Sequence, residues 1–171
     1  MYPHIALPIG RTLNDFCVWL DQTALSQTIQ SQAWIVPTVQ SVHILSFGLV
    51  VASALMINLR LTGIFGRDQS LDRISARFLP FIWWPMLVLL ATGAIMIIGE
   101  PARALKNPVF QAKVVLVIAA VIVTCIFQRM RRNPTFGDPA YGARTAPRVV
   151  AAISMALWVS IIFAGRWIAY A

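Results

Sequence analysis

Few side chains in this chain of 171 residues can do chemistry, and most of them lie in or beside apolar stretches. There are two histidines. His4 stands between prolines in the irregular opening segment MYPHIALPIG, whereas His43 sits near the middle of AWIVPTVQSVHILSFGLVVASALMIN, from Ala33 to Asn58. An ionisable group so deep in an apolar run marks a cofactor or metal ligand, a proton-transfer group, or a hydrogen bond to a neighbouring helix. At about 100° per residue, Val36, Gln40, Phe47, Val50 and Ala54 share its face, with Ser46 at the flank. That face suits either a neighbouring helix or a flat cofactor.

The remaining candidates gather toward one end of the apolar segments. Lys113 lies early in a later one and Arg166 near the end of the last, while Glu100 and Arg103 occupy the short turn between the second and third. At a rise of 1.5 Å per residue, His43 is about 15 Å from the end of its segment and Lys113 about 8 Å from the matching end of its own. Gln40 and Gln111 fall in the same half, and the other half holds only Thr124 and Ser154. Lys113 and Arg166 either face the interior or extend to the interface, where Glu100 is a partner. Cys17 and Cys125 form no CxxC and no zinc spacing, so they read as free, small, buried side chains.

Such groups must be positioned by elements that live in lipid. The chain is 58% hydrophobic and 12% charged, with a mean hydropathy of +0.73. A soluble domain devotes about a quarter of its residues to charge, so this one has to hide apolar surface in a bilayer. The net charge of +8 would suggest nucleic acid in a soluble protein. Here the basic residues flank apolar segments, which excludes nucleic acid as a partner and favours the membrane.

The expected fold is all-α, a transmembrane up-down four-helix bundle with an N-terminal amphipathic helix, in a single membrane domain over residues 1–171. Residues 1–30 hold the irregular segment and one amphipathic helix from about Leu13 to Ile29, whose apolar residues recur at three- and four-residue steps. Spans follow at about 33–58, 81–99, 109–127 and 149–169, each long enough for a hydrocarbon core of about 30 Å. Trp34, Trp83, Trp84, Trp167 and Tyr170 read as interface anchors, with Trp83 or Trp84 also placed to line a pocket. No cleavable signal peptide is visible in the first thirty residues. The link NPTFGDPAYGARTAP is a loop without a site of its own.

Orientation follows from charge. Arg60, Arg67, Arg73, Arg77, Arg129, Arg131, Arg132, Arg144 and Arg148 put nine basic residues on one side, against Arg11, Arg103 and Lys106 on the other. The positive-inside bias then places both long links in the cytoplasm and both termini in the periplasm of a bacterial inner membrane.

The stretches WIVPTVQSVHILSFGLVVASALMINLRLTG, LPFIWWPMLVLLATGAIMIIGEP and KNPVFQAKVVLVIAAVI resemble a small bacterial membrane family of unknown function. In outline the chain is also similar to the copper-resistance D proteins and the HemJ-type protoporphyrinogen oxidases. Those families share a histidine on an early span, matched here by His43, and an opening signature matched by Asn107, Pro108, Phe110 and Lys113. The likeness implies a b-type haem, with His43 as the metal ligand and no second transmembrane histidine unless His4 folds in. On that reading Gln40, Ser46 or a backbone carbonyl accepts from the other ring nitrogen. Lys113, Arg166 and Arg103 face the propionates. Gly93 leaves room for a porphyrin edge, or for close helix packing.

The expected function is electron transfer or redox sensing, with the lipid bilayer, a redox partner or a second copy of the chain as partners. Two other classes stay open. Met56, Met86, Met96 and Met155 in the spans suit a metal or small-molecule transporter, although they form no MxxM array. The scarcity of polar groups suits an accessory subunit of a larger membrane complex.

Overall fold

The computed structural model describes residues 8–66, 68–132 and 145–167. The opening segment with His4, Arg67, the link over 133–144 and Tyr170 lie outside them. Among the described residues the chain is helical, without strands: α1 (Pro8–Asp21), α2 (Ala24–Ser31), α3 (Ile35–Thr62), α4 (Leu71–Phe78), α5 (Pro80–Gly99), α6 (Pro101–Leu105), α7 (Pro108–Met130) and α8 (Thr145–Trp167).

Four helical stretches, α3, α4 running into α5, α7 and α8, are long and apolar enough to cross a membrane, as in a multi-pass membrane protein. In lipid each backbone N–H and C=O must be satisfied within its own helix, so long apolar runs settle as helices. Leu45, Leu90, Val115, Ile122 and Phe163 stay exposed, directed away from the bundle. The helices outrun the apolar windows that announce them, because helical hydrogen bonding continues into polar sequence. Thus α3 passes Asn58 and ends at Gly63, whose φ of 76° lets its N–H return to the Arg60 and Leu59 carbonyls. Likewise the link before α5 is itself helical, since Leu79 keeps φ −58° and ψ −40° between α4 and α5.

The N-terminal amphipathic stretch is two helices, not the single one expected. Thr23 breaks it: its hydroxyl donates to the Leu20 carbonyl at 2.7 Å, and its oxygen accepts the Ser26 N–H at 3.3 Å as the cap of α2. Both helices dock on the end of the bundle where α5 turns into α6. Ser26 Oγ donates to Ile98 O at 2.7 Å, Gln30 Nε2 to Gly99 O at 3.0 Å, and Lys106 Nζ to Asn14 Oδ1 at 2.6 Å. Cys17 is buried there, but Cys125 is exposed on α7, contrary to expectation, because its turn of that helix faces outward. We term this the capped end, and the opposite end, with α4 and its arginines, the basic end.

The four long helices form an open array. Helix α3 packs on α5 and α8, and α8 on α7, yet no Cα of α5 lies within 8 Å of one in α7. Side chains close the array only toward the basic end. There Val50, Ala54 and Ile57 of α3, Ile82 and Met86 of α5, Ala120 and Phe127 of α7, and Trp158 of α8 form one buried core. Asn58 Nδ2 donates to Ser154 Oγ at 3.0 Å beside it, tying α3 to α8. Toward the capped end α3 before Val50, α7 before Ala120 and α8 after Ile161 carry no buried residue, whereas α5 buries Thr92 and Gly99.

Candidate functional site

His43 lies where that close packing ends, eight residues into α3, or about 12 Å along it. Its Nδ1 is 2.7 Å from Thr92 Oγ1 on α5. The same hydroxyl is 2.7 Å from the Val88 carbonyl and 3.3 Å from that of Leu89. A hydroxyl has one hydrogen, and a carbonyl can only accept. Were that hydrogen aimed at Nδ1, two oxygens would face each other at 2.7 Å with nothing between them. The hydrogen therefore goes to Val88 O, and His43 Nδ1–H donates to Thr92. In the neutral ring this leaves the lone pair on Nε2, which no described group takes up. A ligating histidine has this form, one nitrogen anchored as a donor and the other presented as a base.

At Gly93, next to Thr92, helix α5 has no side chain beside the imidazole. A Cβ placed on Gly93 would sit 3.7 Å from His43 Cε1, so the missing side chain leaves space beside the ring. Lys113, five residues into α7, is half-buried, and its charge is felt at His43. Its ammonium runs along Gly165 of α8, where a Cβ would meet Nζ at 3.6 Å and Cε at 3.8 Å. Arg166 follows Gly165, so two cations stand at one level. No described carboxylate pairs with Lys113, and Glu100 pairs with Arg103 at 3.0 Å.

Of the residues singled out by sequence, the fold brings together His43, Gly93 and Lys113, with Arg166 beside Lys113. Gln40 is exposed and Ser46 half-buried, and the hydrogen bond of His43 goes to Thr92 instead of either. Arg103 is 71% exposed and bound to Glu100 in α6, away from the histidine. Gln111 turns to the Leu105 carbonyl at 2.9 Å. Trp84 is exposed, as an interface anchor would be. Thr92 was missed, though one signal was present: it is the only hydroxyl in the second span, and it precedes the glycine.

Chemically, the site offers one imidazole nitrogen, one or two cations and a gap. Among the described residues no three histidine, cysteine or carboxylate side chains converge to hold a metal ion. A metal at His43 would have to arrive with most of its donors, as in a macrocycle, whose four nitrogens leave axial positions to the protein. The side-chain-free path at Gly93 and the unpacked half of the array suit a flat group of that kind.

A family model described as Family of unknown function (DUF6644) matches residues 16–171. No curated protein and no solved structure matches the chain.

Proposed function

The chain belongs to this family of unknown function, and from its own site we propose that it is an integral membrane b-type haem protein serving electron transfer or redox sensing. The observation that carries the reading is the His43 imidazole, anchored through Nδ1 to Thr92 beside the side-chain-free position of Gly93, with no described group bonded to Nε2. His43 would hold the haem iron, Gly93 would leave room beside it, and Lys113 with Arg166 would supply positive charge for its carboxylates. Bound there, the haem would supply one-electron chemistry. The chain's own part is to orient the ligand through Thr92, to hold positive charge nearby and to surround the site with apolar helix. The test is the absorption spectrum of protein purified in mild detergent from haem-replete cells. A Soret band supports the reading, and a colourless protein with its helical fold intact overturns it.

Lys113 acts on this reading as a charge and not as a ligand. Lys113→Met is expected to keep haem but bind it more weakly and at a lower reduction potential, because a nearby positive charge favours the electron-rich state. Spectroelectrochemical titration of the two proteins checks this. An unchanged potential would place the ammonium at the interface.

We further propose a bacterial inner membrane, with the capped end and both termini periplasmic, on the bias of nine basic residues against three. In a background lacking Cys17 and Cys125, a cysteine at Ser70 should be labelled from the cytoplasm and one at Asn107 from the periplasm. Labelling of Asn107→Cys from the cytoplasm would invert the assignment.

A further inference from the structure

A second site lies at the capped end. Helices α1 and α2, the start of α3 and the α5–α6 corner line an open cavity of about 680 Å³. Val36 and Gly99, which line it, lie seven residues capward of His43 and Thr92 on their helices, or about 10 Å. It is therefore distinct from the candidate haem site, and its test does not depend on haem.

The lining has two characters. Cys17, Ile29, Val36 and Pro101 make an apolar floor, and Asp21, Glu100, Arg103 and Lys106 bring two charges of each sign. Among the described residues, Asp21, Glu100 and Lys106 keep bonding capacity. Asp21 meets Gln30 through Oδ1 alone, at 2.8 Å. Glu100 meets Arg103 through Oε2 alone, and Lys106 uses one of its three hydrogens on Asn14. A simple anion entering the cavity would meet two carboxylates, and a simple cation would meet two cations. A neutral apolar molecule would leave all four unused. A head carrying both signs on an apolar body matches the whole lining.

Depth says where such a molecule comes from. Phe16, Trp19 and Leu25 stand exposed on α1 and α2. Amphipathic helices of this kind lie in the membrane interface, so the cavity opens at the level of lipid headgroups. The kind of cationic group is also decided. No aromatic side chain lines the cavity, so it lacks the cage that a quaternary ammonium prefers, whereas a primary ammonium can donate to carboxylates.

We propose that this cavity binds the headgroup of a zwitterionic phospholipid of the ethanolamine class, its ammonium toward Asp21 and Glu100 and its phosphate toward Arg103 and Lys106. Such a lipid would tie α1 and α2 to the bundle.

The test is the thermal midpoint of delipidated protein in detergent, titrated with dihexanoyl phosphatidylethanolamine, dihexanoyl phosphatidylglycerol, or phosphoethanolamine. Only the first should raise the midpoint in a saturable way. Asp21→Asn and Lys106→Met should each weaken its apparent affinity about three- to ten-fold, in keeping with partly exposed charged contacts. No shift, an equal shift with phosphatidylglycerol, or unchanged affinity in both variants would overturn the proposal. Saturation by phosphoethanolamine at the same concentration would make the ligand a soluble zwitterion and overturn the lipid assignment.

Discussion

Replacing His43 with alanine is expected to abolish bound haem, leaving a folded, colourless protein. The other histidine, His4, lies before the described residues, and His43 is the one imidazole among the described residues, anchored at Nδ1 by Thr92. Thr92→Val provides the graded companion. It removes the hydroxyl that accepts from Nδ1 and so frees the ring and its tautomer, while His43 itself remains. Loss of such an orienting partner typically costs ten- to a hundred-fold in affinity, so about that loss of haem occupancy at limiting haem is expected. The competing reading makes the His43–Thr92 pair a hydrogen bond between helices and nothing more. Such bonds are worth about 0.6 kcal/mol in membranes, with a maximum near 1.7. On that reading the wild type is colourless and both substitutions cost about that much in stability. The spectrum and the unfolding midpoint of the three proteins separate the cases, and a colourless wild type sinks the haem assignment.

The second large effect is steric. Gly93→Leu should exclude the cofactor without unfolding the protein, whereas Gly93→Ala should keep most of it. An added methyl meets only His43 Cε1, at the ordinary contact distance of 3.7 Å. A leucine would extend beyond that methyl, at a level where α3 and α7 carry no buried residue. The helical content and thermal midpoint of the haem-free variant should match those of haem-free wild type. If Gly93 instead serves close helix packing, leucine overpacks the contact and costs about 1–3 kcal/mol. A lowered midpoint in both variants, at unchanged haem content, would therefore reject the role assigned to this glycine.

The sequence by itself determined the elements. Lipid offers no hydrogen bonds to backbone, so a long apolar run has one outcome, and four spanning helices with an amphipathic lead-in were legible from composition and spacing. His43, Gly93 and Lys113 could be singled out for a related reason: a polar or missing side chain in an apolar run is conspicuous. The break at Thr23 was also legible in principle, as a capping hydroxyl three residues before Ser26.

Only the tertiary structure decided who meets whom. A helix brings residues three and four apart to one face, which pointed to Gln40 and Ser46 as partners of His43. The rotation of α3 against α5 exposed Gln40 and chose Thr92, 49 residues away. Arg103 was expected, from the resemblance, to face a propionate, but the turn into α6 pairs it with Glu100, three residues back. Periodicity says which face is apolar, and in lipid nearly every face is, so it could not announce that α5 and α7 stand apart. That separation arises because α3 and α8 pack with both of their neighbours while α7 buries only Ala120, Thr124 and Phe127, all toward the basic end. Side-chain volumes on four helices, summed in three dimensions, left the half around His43 open.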